Sequence, residues 1–489
     1  MVKKFIYFII LCLFLLLGGM IWNMKNFSSK QIDVPSIDVV SIDNEKAVNH
    51  LSESISYRTV SNDDNENIDA ITFLSFHKFL RRTYPLTFSE LSERIFSSYS
   101  ILLKWEGNNE STKNPILLMA HLDVVPADEV EKWEEHPFSG VVKNDFIWGR
   151  GALDDKSSLI SILESLEYLI SIGFKPSRDI YISIGHDEEN SGLKGNAVIA
   201  ETLKNEGVYF DVVLDEGSII SNGIIKGTDK PIAIIGIAEK GYLTIELTSS
   251  FQSGHSSMPG ETTTIGKLSK AINNLERHQM NARITPTLKH FFDYIGPELT
   301  FKDRFILANI SLLSSSIINE LIKEPTTASM LRTTTAPTMI SSGLKSNVLP
   351  SEAKAKINFR ILQGDSVEKV KRHIENVIND DDIDVKILDN ELYSNPSNVS
   401  NINSPSFNII HKTIKEIYND ILVAPGLVVA TTDSRYYQSI SKDIYRFMPI
   451  ALSSDDLSMI HGYNEKISVS AYLDMIQFYI QLIMNFDVS

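Results

Sequence analysis

Short apolar runs that stop on an acid or a histidine constrain this chain more than any other feature. Ile116–Ala120 ends at His121, Ile180–Gly185 ends at His186-Asp187-Glu188-Glu189, and Asp211–Leu214 ends at Asp215-Glu216. Between the first two runs, Leu159, Ile160, Leu163, Leu166, Leu169 and Ile170 recur at helical spacing. Strand–helix–strand alternation predicts an α/β fold with a mixed, mainly parallel sheet covered by helices. Ligands bind such sheets beyond the carboxyl ends of the strands, so the polar residues that end each run are the first candidates for chemistry.

A different pattern begins near Gly241. Tyr242–Thr248 alternates apolar and polar residues, as a strand with one solvated face does. A helix is expected around Ile265–Leu275, strands near Thr338–Ser341 and Ala353–Ile361, a helix at Val367–Ile378 and a strand at Val385–Leu388. That order is βαββαβ, a small two-layer unit, interrupted by an insertion near 281–335. The apolar residues of the insertion, Phe291, Phe292, Tyr294, Ile295, Phe301, Phe305, Ile306 and Leu307, suit either an acyl pocket or the packing of an enlarged second unit. Beyond it the first style returns, with a buried strand at Ile444–Ile450 and a closing helix whose apolar face carries Tyr472, Leu473, Ile476, Tyr479, Ile480 and Ile483. The expected division is 1–22 as a membrane anchor or signal segment, 23–45 as a tether, 46–239 with 392–489 as the larger domain, and 240–391 as the second unit.

Phe5–Trp22 is a run of 18 residues without a charge, preceded by Lys3 and Lys4. That is close to the shortest helix that crosses a bilayer. Gly18-Gly19-Met20 is a poor cleavage site and Trp22 suits a membrane interface, so an uncleaved anchor is favoured over a signal peptide. Lys3 and Lys4 would stay cytosolic and the rest of the chain would lie on the other side, or be secreted if the segment is cleaved. The net charge of −16 argues against a nucleic-acid partner. The single cysteine, Cys12, permits neither an internal disulfide nor a thiolate metal site. Any transition metal must therefore be held by His, Asp and Glu.

Five segments offer those donors: His121-Leu122-Asp123, Asp154-Asp155 after Trp148-Gly149-Arg150-Gly151, Glu188-Glu189, Asp215-Glu216, and His461-Gly462-Tyr463-Asn464-Glu465. In a strand, residues i and i+2 share a side, so Asp123 can reach back to His121 and fix its tautomer. Singly, each segment is more often a solvated acidic face or a structural histidine. Together, at the ends of successive strands, they could form two adjacent metal sites that share a bridging carboxylate. Oxygen and imidazole donors without thiolate suit Zn²⁺, with Mn²⁺ or Co²⁺ as substitutes.

The ordered series His121-Leu122-Asp123-Val124-Val125-Pro126, Gly149-Arg150-Gly151-Ala152-Leu153-Asp154-Asp155-Lys156, Asp187-Glu188-Glu189, Leu214-Asp215-Glu216-Gly217, Gly254-His255-Ser256-Ser257 and His461-Gly462-Tyr463-Asn464-Glu465 resembles the co-catalytic di-zinc metallopeptidases. These include aminoacylase, glutamate carboxypeptidase and carboxypeptidase S. The likeness runs from about Ser52 to the carboxyl terminus and points to the carboxypeptidase S and N-fatty-acyl-amino-acid hydrolase branch. It implies a zinc-exopeptidase-like catalytic domain with an inserted lid, and two zinc ions per chain. It further implies that His121 and Asp215 hold one zinc, that Glu189 and His461 hold the other, and that Asp154 bridges them. Asp123 would orient His121, Glu188 would be the general base, and His255 would donate to the oxyanion. Asn347 and Arg360 would bind the substrate carboxylate. The implied reaction is hydrolysis of the amide bond of a short peptide or an N-acyl amino acid next to a free carboxylate, with N-fatty-acyl-amino-acid hydrolysis or synthesis as the alternative. Expected partners are that substrate, the membrane through the amino-terminal segment, and a second copy of the chain in a homodimer.

The chain departs from the family pattern at Ser157, Asn190 and Thr431-Thr432, where glycine is usual. None of these changes removes a donor. A non-catalytic binding protein on the same fold would have lost a ligand or the base, and this sequence retains all of them.

Overall fold

A computed structural model of the chain describes residues 1–62, 68–108, 112–388 and 393–488. The expected junction at 391–392 lies outside the described residues. The larger unit is built on a ten-stranded mixed sheet. At its centre, Ile116–His121 runs parallel to Ile180–Gly185 on one side and to Val212–Asp215 on the other, with Ile444–Arg446 parallel to Val212–Asp215 beyond. Ser92–Phe96 and Ser100–Trp105 add antiparallel strands at one edge. Ile232–Glu239 and Leu422–Val428, parallel to each other, lie toward the opposite edge.

Side-chain alternation divides the apolar runs between two cores. Ile116, Leu118 and Ala120 enter the larger core with residues of helices Lys156–Ser171 and Val469–Val488, whereas Leu117 and Met119 meet Ile199, Ala200, Leu203 and Tyr437 on the other face. Both faces are covered, which is why these strands read as continuous apolar runs. The expected strand Ile444–Ile450 is buried but pairs only over Ile444–Arg446. Beyond it, Phe447 N donates to Asp215 O and Met448 N to Ser218 O, and Pro449 has no N–H to continue a ladder.

The second unit has the βαββαβ order. Its antiparallel sheet runs Thr334–Ser342, Glu352–Ile361, Gly241–Ser250, Ile383–Ile387. Helices Thr264–Arg277 and Val367–Ile378 cover one face, where Leu243, Ile245, Leu247, Ile357 and Phe359 are buried with Leu268, Val370 and Ile374. The opposite face carries Tyr242, Asn358 and Arg360, half-buried, and Thr244, buried.

The insertion forms helices Pro286–Ile295, Phe301–Ala308, Ile310–Leu321 and Pro325–Leu331. Leu288, Phe292, Tyr294 and Ile295 are buried in the core of the larger unit, not in that of the lid. The segment after the first helix, Val2–Asn26, is fastened along its length. Gln31 bonds both N–H and C=O of Val423 at 2.9 Å, Ile37 N donates to Glu416 O, and Val40 exchanges two bonds with Gln477. Gln31 thereby satisfies backbone groups that the strand Leu422–Val428 would otherwise leave unpaired.

Candidate active site

The carboxyl ends of the central strands bring the candidate donors together. Register pairs His121 with Gly185, so Glu188 and Glu189 emerge one turn beyond the neighbouring strand end. His461 arrives from far along the chain. Its loop leads into Lys466–Ser468, which pairs with Phe146–Trp148, and that strand leads into the turn that carries Asp154. Glu465 locks the two loops: its buried carboxylate accepts N–H bonds from Gly151 (3.0 Å), Leu153 (2.8 Å) and Asp154 (3.2 Å) and pairs with Arg150 at 2.5 Å.

The result is a compact cluster. His121 Nε2 lies 3.0 Å from Asp154 Oδ1, His461 Nε2 lies 3.1 Å from Asp154 Oδ2, and His461 Nε2 lies 3.2 Å from Glu189 Oε2. Ligand atoms of His121, Asp154 and Glu189 are all within 4.8 Å of one another. Asp154 thus faces one imidazole with each oxygen. Burial disfavours its charge, but the two histidines outweigh this and hold its pKa below the usual carboxylate range. In return, hydrogen bonds to Asp154 and then Glu189 raise His461 to about 10. Burial opposes the charge of His121, yet Asp123 and Asp154 raise it well above an ordinary imidazole. The pocket therefore favours positive charge.

Asp123 is fully buried. Its oxygens accept from Glu188 N and Glu189 N at 3.2 Å and from Ser61 Oγ at 2.6 Å. His121 Nδ1 stands 3.0 Å from the Asp123 carbonyl and 3.4 Å from its Oδ1. One aspartate thus holds both the His121 ring and the backbone that presents the two glutamates. The Glu188 carboxyl is pushed well up by burial, and further by Asp433 and Glu189, against the opposing charges of His121 and Arg435.

Asp215 is placed differently. One oxygen accepts from Ser434 N (2.8 Å) and the other from its neighbour Glu216 N (3.0 Å). The Glu216 carboxyl is raised first by burial and then by the charges of Asp154 and Glu188. Glu216 stands in the donor segment Asp215-Glu216, but the family resemblance implied a ligand role only for Asp215. For Ser61 and for the clamp role of Glu465 the sequence carries no local signal.

The candidate residues of the second unit are not gathered into the cluster. His255 is exposed on a two-residue strand paired with Val348–Leu349, and Asn347 is exposed beside it, its carbonyl accepting from Ser256 N. Ser257 N donates to His255 Nδ1 at 3.2 Å, which leaves Nε2 as the protonated nitrogen of the neutral ring. Arg360 lies over the ring of Tyr242, its cross-strand neighbour, at 4.7 Å, on the face of the second sheet opposite the two helices. Burial, and the nearby charge of Arg435, lower its pKa. Among the described residues no carboxylate pairs with it.

Comparison with known proteins agrees with the class that this fold and these donors define, a metal-dependent hydrolase. The chain belongs to peptidase family M20/M25/M40, whose sequence pattern matches residues 117–485. It is 38% identical over 479 residues to the probable carboxypeptidase S-like 2 of Dictyostelium discoideum, covering 95% of this chain and 91% of that protein. It is 39% identical over 445 residues to the N-fatty-acyl-amino acid synthase/hydrolase PM20D1 of Xenopus tropicalis, covering 90% and 86%. In fold it is similar to the M20 family metallo-carboxypeptidase Sso-CP2 from Sulfolobus solfataricus, with a TM-score of 0.67 and 19% identity over 91% of this chain and 99% of that one.

Proposed function

We propose that the protein is a zinc-dependent hydrolase of amide bonds adjacent to a free carboxylate, acting on N-acyl amino acids or short peptides. In this reading the chain is anchored by Phe5–Trp22 with its catalytic domain on the non-cytosolic side. The observation that carries it is the cluster of His121, Asp154, Glu189 and His461 with Glu188 fixed beside it by Asp123. The donor set fits zinc: imidazole and carboxylate oxygens, no thiolate, and a buried Glu189 Oε1 without a hydrogen-bond partner among the described residues. Asp154 has an imidazole on each side and is the natural bridge. His121 and Asp215 would hold one ion, and Glu189 and His461 the other. Glu216 is a further candidate for the place given to Asp215, since both Asp215 oxygens already accept backbone N–H groups.

Bound zinc would supply Lewis acidity and lower the pKa of a coordinated water to about 7. The chain's own residues supply the rest. Glu188 takes a proton from water and hands it to the departing amine. His255, protonated at Nε2, donates to the developing oxyanion once the lid approaches. Arg360 pairs with the substrate carboxylate through its planar fork, and the Tyr242 ring keeps the guanidinium in place meanwhile. Asn347 lies in the same lid region and adds a second donor.

The deciding experiment offers the purified full chain a panel of N-fatty-acyl amino acids, blocked dipeptides and free dipeptides, before and after chelation, with elemental analysis alongside. Hydrolysis that is lost with the metal and restored by zinc is expected. No hydrolysis of any member by zinc-loaded protein would favour the binding-protein reading instead.

A further inference from the structure

Helix Val2–Asn26 is exposed along its apolar length, but its last turns are not free. Asn309, itself buried, donates to Met20 O at 3.1 Å and accepts from Asn23 Nδ2 at 3.1 Å. Arg304 donates to Phe27 O at 2.8 Å, and the Phe27 ring lies against Gly296, where a Cβ would stand 2.5 Å from it. The end of the anchor is therefore clamped onto the helical pair Phe301–Ala308 and Ile310–Leu321.

That clamp fixes a height. A run of 18 residues rises about 27 Å as a helix, close to the hydrocarbon thickness of a bilayer. If Phe5–Trp22 spans the membrane, the far interface lies at Met20–Asn23, which is the level at which Asn309 binds. The composition of the pair fits that level. Residues 305–319 form a stretch of 15 without a charge, in a chain that is 22% charged. Ile310 and Ile318 pack against the larger core, and Ile317 is buried. The outer face holds Ser311, Leu312, Ser315, Ser316 and Asn319, all exposed. Leu312 is 59% exposed, and Phe301, at the start of the pair, is 72% exposed. Arg304 and Glu320 bound the stretch, with exposed Lys302 before it and exposed Lys323, paired with Glu320 at 2.5 Å, after it, so a basic residue stands near each end at the level of lipid phosphates.

We propose that the pair Phe301–Ala308 and Ile310–Leu321 is a membrane-docking element that lies in the bilayer interface beside the anchor, with Phe301 and Leu312 among the acyl chains. This rests on the anchor reading given above. The occupant of the face is lipid, because the helix clamped to it is the one that enters the bilayer. The catalytic unit then has two attachments instead of one flexible leash, and its orientation on the membrane is fixed. The neutral hydroxyl face suits a shallow position, about 5–10 Å into the headgroup and acyl boundary.

The test places a single nitroxide on the full chain in lipid nanodiscs, in a Cys12→Ser background that removes the only native thiol. Labels go at Phe301→Cys and Leu312→Cys, at Phe14→Cys in the anchor, and at Leu344→Cys on the far lid tip, which is fully exposed. The expected result is a loss of collisions with a water-soluble nickel chelate and a gain with oxygen at 14, 301 and 312, but not at 344. Lipid protection at 14 with water exposure at both 301 and 312 would overturn the docking proposal and leave the anchor standing. Water exposure at 14 as well would overturn the anchor reading and the proposal with it. Protection at 301 and 312 that follows protein concentration in detergent, and not lipid, would assign the face to a second copy and overturn the proposal.

Discussion

The two halves of the site are prepared to different degrees. On the larger unit, His121, Glu188 and Glu189 sit at or just beyond the ends of buried strands and Asp154 on the turn before a buried helix, and Asp123 and Glu465 fix them through backbone hydrogen bonds. On the lid, His255 and Asn347 stand exposed and Arg360 rests on an aromatic ring. The candidate metal donors are thus assembled by the larger unit itself, whereas the substrate contacts proposed for His255, Asn347 and Arg360 would need a movement that brings the second unit to the cluster. Rigid elements suit the first task, because ligand positions tolerate little displacement.

The largest effect should come from the prepared half. Glu188→Gln keeps the side-chain size and leaves the metal donors intact, so kcat should fall by about 10²–10⁴ with metal content unchanged. Glu189→Gln should instead lower the metal content. Equal metal loss in the two variants would erase the distinction between base and ligand. Next comes the lid. Arg360→Ala should reduce kcat/KM for a substrate with a free carboxylate by about 2–4 kcal/mol, roughly 30- to 800-fold, and Arg360→Lys should restore only part. The corresponding carboxamide should be little affected, so the acid-to-amide ratio is the measurement. An unchanged ratio would move carboxylate recognition to Arg435. A smaller effect should follow from Ser257→Ala, which removes the Oγ within 2.7 Å of His255 Nδ1 but keeps the backbone donor. Losing one hydrogen bond of about 0.5–1.5 kcal/mol corresponds to a two- to twelve-fold fall in kcat, with metal content unaltered. Metal loss in this variant would mean that the lid takes part in assembling the cluster.

The smallest effect on turnover belongs to the frame that supports both halves. His411 is buried between Tyr294 and Phe407, and burial, then the charge of Lys415, lowers it to about 3. Its folded pKa lies below the unfolded value of about 6.5, so the unfolded chain binds the proton more readily. The stability associated with the neutral ring is complete above about pH 6.5 and is lost as pH falls toward 3. The loss should reach at most a few kcal/mol. His411→Leu should flatten this part of the stability–pH curve in denaturant titrations while turnover at neutral pH stays near that of the parent. A steep acid limb that survives the substitution would place the acid sensitivity elsewhere.

Much of this was legible in the residues. The runs Ile116–Ala120 and Ile180–Gly185 are strands within a residue of their expected limits, and the helix at Val367–Ile378 has the expected bounds. Periodicity suffices there, because burial on one or two faces imposes a period of 2 or 3.6 on the sequence. Four of the five donor segments could also be read, since each ends a strand or opens a helix, whereas residues 461–465 lie in a turn before the strand Lys466–Ser468.

Other features depend on contacts between residues distant in sequence. Glu465 reaches Asp154 across 311 positions, and only the pairing of Lys466–Ser468 with Phe146–Trp148 puts it there. Of the adjacent acids Asp215 and Glu216, the direction in which each side chain leaves the strand end, together with the N–H of Ser434, decides which oxygens are occupied. Residues 23–45 read as a polar leash, yet Gln31 and Val40 find Val423 and Gln477 and fasten it. Phe292 and Tyr294 suit an acyl pocket or, slightly better, the packing of an enlarged second unit, and the structure buries them in the larger core instead. The sequence by itself determined which residue types stand at the strand ends, because local periodicity is set by which face is buried. The tertiary structure alone decided which of them meet, because hydrophobic burial has no direction and long-range hydrogen bonds leave no period in the chain.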